Sequence, residues 1–240
     1  PYLTRETMYR MVVSTENGGS AGFGWFTSHN DAYLRGYAPA IGMDFTFKTY
    51  MIPDYALSPT ESQVTINNIS LVADGTSQTT VTIQLKDAQG HNITTGGEAV
   101  TIASSLGTVS AVTDHNNGTY TATLTAPTTI GTGSISASVG GSAIPTTASV
   151  QFVSGPPSLA KSTVTVNDNS LLADGTSQTT VTVKLKDAQG NDVTTGGATV
   201  SILSTLGTIG TVTNHNNGTY TATLTAPSTA GTSTISATVN

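Results

Sequence analysis

The chain repeats itself. Residues 62–139 align without a gap on residues 162–239, and 54 of the 78 aligned positions are identical. A match of this length and regularity means that one structural unit is made twice, so whatever the first copy folds into, the second does as well. Three blocks carry most of the identity. Residues 73–81 (ADGTSQTTV) recur as 173–181, residues 85–90 (LKDAQG) as 185–190, and residues 115–127 (HNNGTYTATLTAP) without change as 215–227. The exchanges point the same way. Ile66/Val166, Ile83/Val183, Ile93/Val193 and Val109/Ile209 trade one β-branched residue for another, which keeps strand preference and approximate core volume.

The spacing inside a copy is that of strands. Val81, Ile83 and Leu85 alternate with Thr82 and Gln84, and Tyr120, Ala122 and Leu124 alternate with Thr119, Thr121, Thr123 and Thr125. A period of two puts one face in a core and the other in water. Further strands are expected at Val64-Thr65-Ile66, around Val100 and Ile102, near Val109 and Val112, over Ile135, Ala137 and Val139, and over 148–153, with a turn at Gln89-Gly90-His91-Asn92. About seven short strands in about 95 residues, with no helical apolar period, predict a two-sheet sandwich. The fold class is therefore all-β, with two tandem immunoglobulin-like β-sandwiches preceded by a short β-rich segment. The expected division is 1–57, 58–154 and 155–240. The second copy has no counterpart of 140–153, hence no closing strand, which is expected from truncation of a longer array or from strand donation by a neighbouring chain. Ser154-Gly155-Pro156-Pro157-Ser158 connects the copies, and its two prolines favour a short, extended joint.

These blocks, taken in order, resemble the group 1 bacterial immunoglobulin-like repeat, the unit of the stalks of invasin- and intimin-type surface adhesins. The resemblance covers about three quarters of the chain. It implies an extracellular or cell-surface location, a structural role, and a separate distal domain that does the binding. Invasin and intimin end in a lectin-like tip with a disulfide. This chain has no cysteine, so no receptor specificity carries over.

Composition narrows the function classes. The net charge is −6, only 9% of residues are charged, and there is no run of Lys or Arg. Nucleic-acid binding relies on many basic contacts to phosphate, so nucleic acid is not an expected partner. No stretch reaches the roughly 18 apolar residues of a membrane-spanning helix, so no direct membrane insertion is expected. Without cysteine there is neither a disulfide framework nor a thiolate metal site.

Residues 1–57 differ from the repeats. Eleven of the 14 aromatic residues and half of the eight Lys and Arg residues lie before position 56. Strands are expected at 9–14, 22–27 and 43–50, broken by Gly18-Gly19 and Pro39. About 55 residues make a marginal core alone, so the segment is read as the end of a larger domain or as an assembly contact. Trp25, Phe26, His29, Asp31, Tyr33 and Arg35 form its mixed aromatic and charged cluster. Aromatics and Arg dominate interface anchors, which makes Trp25, Phe26, His29, Tyr33 and Arg35 the candidate binding residues, against core packing of a small β segment as the alternative.

Other groups have structural readings. Asp114-His115-Asn116-Asn117-Gly118 and its copy at 214–218 are read as hairpin turns rather than metal sites. Asp74-Gly75 and Asp174-Gly175 lack a calcium-loop spacing and are read as turns. Tyr120 and Tyr220 are expected to fill the core with the hydroxyl on nearby backbone. The Asn-x-Ser/Thr triplets at Asn68, Asn92, Asn117 and Asn217 are attributed to chance. No catalytic constellation, metal site or cofactor motif stands out. The expected function is a non-catalytic stalk of a bacterial surface protein whose partner is a protein or glycan on a host or neighbouring cell, or copies of itself. A filament or virion subunit with immunoglobulin-like decoration, and the accessory domains of a secreted enzyme, are the alternatives.

Overall fold

A computed structural model of the chain describes residues 9–10, 52–53 and 56–240. Strands β1 (Tyr9–Arg10) and β2 (Ile52–Pro53) pair antiparallel within the first unit, residues 1–56. The expected strands at 22–27 and 43–50 lie outside the described residues.

The first copy begins with β3 (Leu57–Ile66), β4 (Ser70–Val72) and β5 (Gln78–Asp87). It continues through β6 (Val100–Ser104), β7 (Thr108–Val109), β8 (Thr113–Asp114) and β9 (Thr119–Thr125), and ends with β10 (Gly131–Val139) and β11 (Ser142–Val153). Two sheets result, in the orders β3-β5-β9-β7 with β8 added on β9, and β4-β11-β10-β6. The alternation read in the sequence is the reason they stack. Val81, Ile83 and Leu85 of β5, Tyr120 and Leu124 of β9, Ile135 and Val139 of β10, and Val150 and Phe152 of β11 are all buried in one core. The threonines between them lie on the outer face, where a β-branched polar residue suits an extended backbone.

Pro145 interrupts β11. It has no N–H for the ladder, and the register slips there: Ile135 faces Ala148 but Ala137 faces Ile144. The slip frees Thr146, whose hydroxyl accepts from the Val64 N–H at 3.2 Å and donates to the Ser62 carbonyl at 3.2 Å. Strand β11 is thereby tied to β3, across the edge between the two sheets.

The second copy repeats the plan as β12 (Thr163–Val166), β13 (Gln178–Lys184), β14 (Val200–Ser204), β15 (Thr208–Ile209), β16 (Thr213–Asn214), β17 (Thr219–Thr225) and β18 (Ile235–Val239). Its first sheet is complete, in the order β12-β13-β17-β15 with β16 on β17. Its second is the pair β14-β18. Residues 170–172, equivalent to β4, form no strand, because β4 exists by pairing with β11. The core is correspondingly open along that edge. Val64 is 7% exposed but Val164 is 39% exposed, and Ile235, Ala237 and Val239 are only half-buried where Ile135, Ala137 and Val139 are buried.

Candidate functional site

The cluster Trp25, Phe26, His29, Tyr33 and Arg35 lies outside the described residues. The other singled-out groups take structural places. Asp74 sits in a turn in which Oδ1 accepts from the N–H groups of Thr76 and Ser77 at 2.7 and 2.6 Å, and Oδ2 from the Ser77 hydroxyl at 2.7 Å. These three bonds hold its carboxyl well below the usual carboxylate range, the Ser77 N–H contributing most. Asp174 repeats them with Thr176 and Ser177. His115 and His215 are exposed, each with Nε2 2.8 Å from a threonine hydroxyl, Thr121 and Thr221. The positive φ of that hairpin falls on Asn116 and Gly118 rather than on adjacent residues. The loop is thus one residue longer than a two-residue Asn-Gly turn. Gly118 is obligatory: at φ +79° a Cβ would also stand 2.0 Å from the Ile93 carbonyl oxygen.

Tyr120 and Tyr220 are buried, as expected of core rings. The Tyr120 hydroxyl accepts from the Glu98 N–H at 3.0 Å, whereas that of Tyr220 donates to the Ala198 carbonyl at 2.8 Å. Each reaches a strand connection 22 residues upstream, so the bond joins two parts of the sandwich rather than closing a local corner.

Two grooves in the second copy are large enough to consider. One of about 580 Å³ is lined by Pro156, Pro157, Leu159, Val193, Ala198 and Val239, with Thr195 and backbone. The other, of about 460 Å³, lies against β14, β15 and the loop to Val212. Neither wall carries an Asp, Glu, His, Lys or Arg side chain; the larger groove is also lined by Ser154 and Asn240. Among the described residues no three His, Cys, Asp or Glu side chains gather as metal ligands, and no helix is long and apolar enough to cross a membrane.

The best-built polar site is one the strand reading passed over. The alternation that buries Val81, Ile83 and Leu85 continues to position 87, and so carries an aspartate inward. Asp87 and its copy Asp187 are both 0% exposed. Each organises the turn that follows. Asp87 Oδ1 accepts from the N–H groups of Gln89 and His91 at 2.9 and 2.8 Å, and Oδ2 lies 3.0 Å from His91 Nδ1. Asp187 Oδ1 accepts from Gln189 and Asn191 at 3.0 and 2.8 Å, and its Oδ2 also accepts from the linker: the Gly155 N–H lies 3.1 Å away. Burial alone would raise both carboxyls, but the donors outweigh it and hold both below the ordinary carboxylate range. The linker is pinned a second time where the Ser158 N–H donates to the Lys186 carbonyl at 2.7 Å. Gly155 itself is wedged between the copies. A Cβ there would lie 3.3 Å from Val72 of the first and 3.8 Å from Asp187 Cβ of the second. The joint is therefore a packed, hydrogen-bonded seam.

The chain matches the family model described as "Invasin, domain 3" twice, over residues 58–155 and 158–240. It is similar to the crystal structure of invasin, described as a bacterial integrin-binding protein, with 28% identity, a TM-score of 0.62, and coverage of 79% of this chain and 39% of that one. Yersinia pseudotuberculosis InvD is 34% identical with a TM-score of 0.56, covering 76% of this chain and 54% of that one. The Escherichia coli adhesin FdeC is 27% identical with a TM-score of 0.54, covering 80% and 63%. The chain thus spans less than two thirds of each of these proteins.

Proposed function

The chain belongs to the invasin domain 3 family, and on that premise we propose that residues 58–240 act as a spacer in the exposed part of a longer bacterial surface adhesin. It is a non-catalytic, adhesin-like stalk module. The observation that carries this reading is the seam: two sandwiches of one design, joined by a linker whose Gly155 and Ser158 N–H groups are both held by the second sandwich. A chain that only needed to tether a binding domain would be served by a flexible linker. A hydrogen-bonded joint is useful where reach and direction matter. The grooves, walled by apolar, hydroxyl, amide and backbone groups, fit this role better than an enzyme's. The finer assignment, to the group 1 bacterial immunoglobulin-like repeats, rests on the three repeated blocks.

In this reading the adhesin sits on the cell surface and meets a protein or glycan on a host or neighbouring cell. Trp25, Phe26, His29, Tyr33 and Arg35 are the contact residues we assign within this chain, with residues 1–57 as the end of a larger domain or an assembly contact. The test is made on intact bacteria producing the full-length protein. Antibody raised against the first sandwich should label unpermeabilised cells, and Trp25→Ala with Arg35→Ala should reduce adhesion while labelling is unchanged. Labelling that requires permeabilisation would overturn the surface location. Adhesion at the wild-type level would overturn the contact assignment.

A further inference from the structure

The residues that directly follow two of the repeated blocks, Asn191 and Thr128, meet across the joint. Asn191 lies in the same loop as Asp187, and its single amide nitrogen is used twice: Nδ2 donates to Asp187 Oδ2 at 3.0 Å and to the Thr128 carbonyl at 2.9 Å. Thr128 belongs to the first sandwich, in the loop between β9 and β10. Its position is set by the neighbouring turn, since the Gly75 N–H donates to the Pro127 carbonyl at 3.2 Å and a Cβ on Gly75 would come within 3.1 Å of the Thr128 methyl. The loop DAQGN of the second sandwich thus touches the TAPT segment of the first.

We propose that Asn191 is the positioning residue of this joint, an amide latch that holds the two sandwiches at one angle. The bridge needs one nitrogen bearing two hydrogens, because both acceptors converge on the same atom. A carboxamide supplies that; a carboxylate, a hydroxyl or a neutral imidazole nitrogen does not. The two acceptors differ in kind: Asp187 belongs to the loop itself, and the Thr128 carbonyl to the neighbouring module. One bond therefore shapes the loop and the other reads the neighbour. Each copy carries the surroundings of the contact, since Thr125-Ala126-Pro127-Thr128 recurs as Thr225-Ala226-Pro227-Ser228 and Lys186-Asp187 repeats Lys86-Asp87. At the latch position itself they differ, Asn191 against His91. His91 places Nδ1 3.0 Å from Asp87 Oδ2, the loop-shaping contact.

That difference supplies the test. Asn191→His keeps the bond that shapes the loop, in the form the chain already uses at position 91, and removes the bond to Thr128. The chain has no cysteine, so spin labels placed through Ala111→Cys and Thr211→Cys, both exposed, report one distance between the sandwiches in the full 240-residue chain. At pH 8, above the reference imidazole value, electron–electron double resonance should give a single narrow distance with Asn191. With Asn191→His and with Asn191→Ala that peak should be lost to a broad distribution, while the melting of the second sandwich in Asn191→His stays at the parent value. An Asn191→His distribution that superimposes on the parent would overturn the latch, as would a parent distribution that is already broad. If Asn191→Ala disturbs the loop, Asn191→His alone decides. The latch rests on the spacer reading for its purpose, but the measurement reads joint geometry in the isolated chain. Failure here leaves the surface role standing, and failure of the adhesion test leaves the latch standing.

Discussion

Ile135 and Ile235 are the same residue at the same place in the repeat, in different surroundings. Ile135 sits on β10 between β6 and β11, paired with Ser104 on one side and Ala148 on the other, and is 0% exposed. Ile235 sits on β18, paired with Ser204, and is half-buried. Replacing isoleucine by alanine removes three carbons. At about 0.8 kcal/mol for each buried carbon the transfer loss at Ile135 is about 2.4 kcal/mol. A closed site also leaves a cavity, which brings the expected cost to about 3–4 kcal/mol, within the range of such truncations. At Ile235 roughly half the side chain is already in water and the space left is open to solvent. The transfer loss is then about 1 kcal/mol with no cavity to add. The assay is urea denaturation followed by amide cross-peaks assigned to each sandwich, so that each variant is read in its own module. Ile135→Ala should lower the midpoint of the first sandwich strongly and leave the second unchanged, and Ile235→Ala should lower the second only slightly. Equal losses at the two positions would refute the claim that β11 is what seals the core.

Gly118→Ala should unfold the first sandwich selectively, because it combines φ +79° with a Cβ 2.0 Å from the Ile93 carbonyl oxygen; a loss under about 1 kcal/mol, the scale of a tolerated glycine replacement, would contradict that geometry. Tyr220→Phe should cost about 1 kcal/mol through the bond to the Ala198 carbonyl, seen as a shift in the second sandwich's urea midpoint, and no shift would mean the bond contributes nothing net. Acid should destabilise both sandwiches. Asp74, Asp87, Asp174 and Asp187 titrate below the ordinary carboxylate value when folded. The unfolded chain therefore takes up protons first, near pH 4, and stability that is complete above that value drains away as pH falls through the lower folded values. Urea midpoints should be flat from pH 8 to 5.5 and fall below 4. A midpoint constant down to pH 2.5 would contradict the shifts.

The sandwiches were legible because their signal is local. Alternation of aliphatics with threonine along β5 and β9 states both the strand and its buried face. Strand β4 was not legible. Its three residues, Ser70, Leu71 and Val72, have no period to read, and they are a strand only because β11 runs parallel beside them. The segment 170–172 has a nearly identical sequence and forms none. Likewise, the sequence shows Asp87 and Asp187 only as acids near a turn. Their burial follows from counting two residues on from Leu85, a step usually reserved for apolar side chains. The bridge from Asn191 to Thr128 joins residues 63 positions apart, and no spacing rule reaches that far. The aromatic cluster around Trp25 rests on composition, and lies outside the described residues.

The central claim is that residues 58–240 serve through their extent and stiffness, not through a ligand of their own. The direct measurement replaces this segment, in the full-length protein on living cells, by two unrelated immunoglobulin-like sandwiches of the same span joined as tightly, and counts bound target cells. Adhesion should persist after the exchange and fall when the segment is deleted. Adhesion lost on exchange, with surface display unchanged, would mean that the segment contributes recognition itself and would contradict the account.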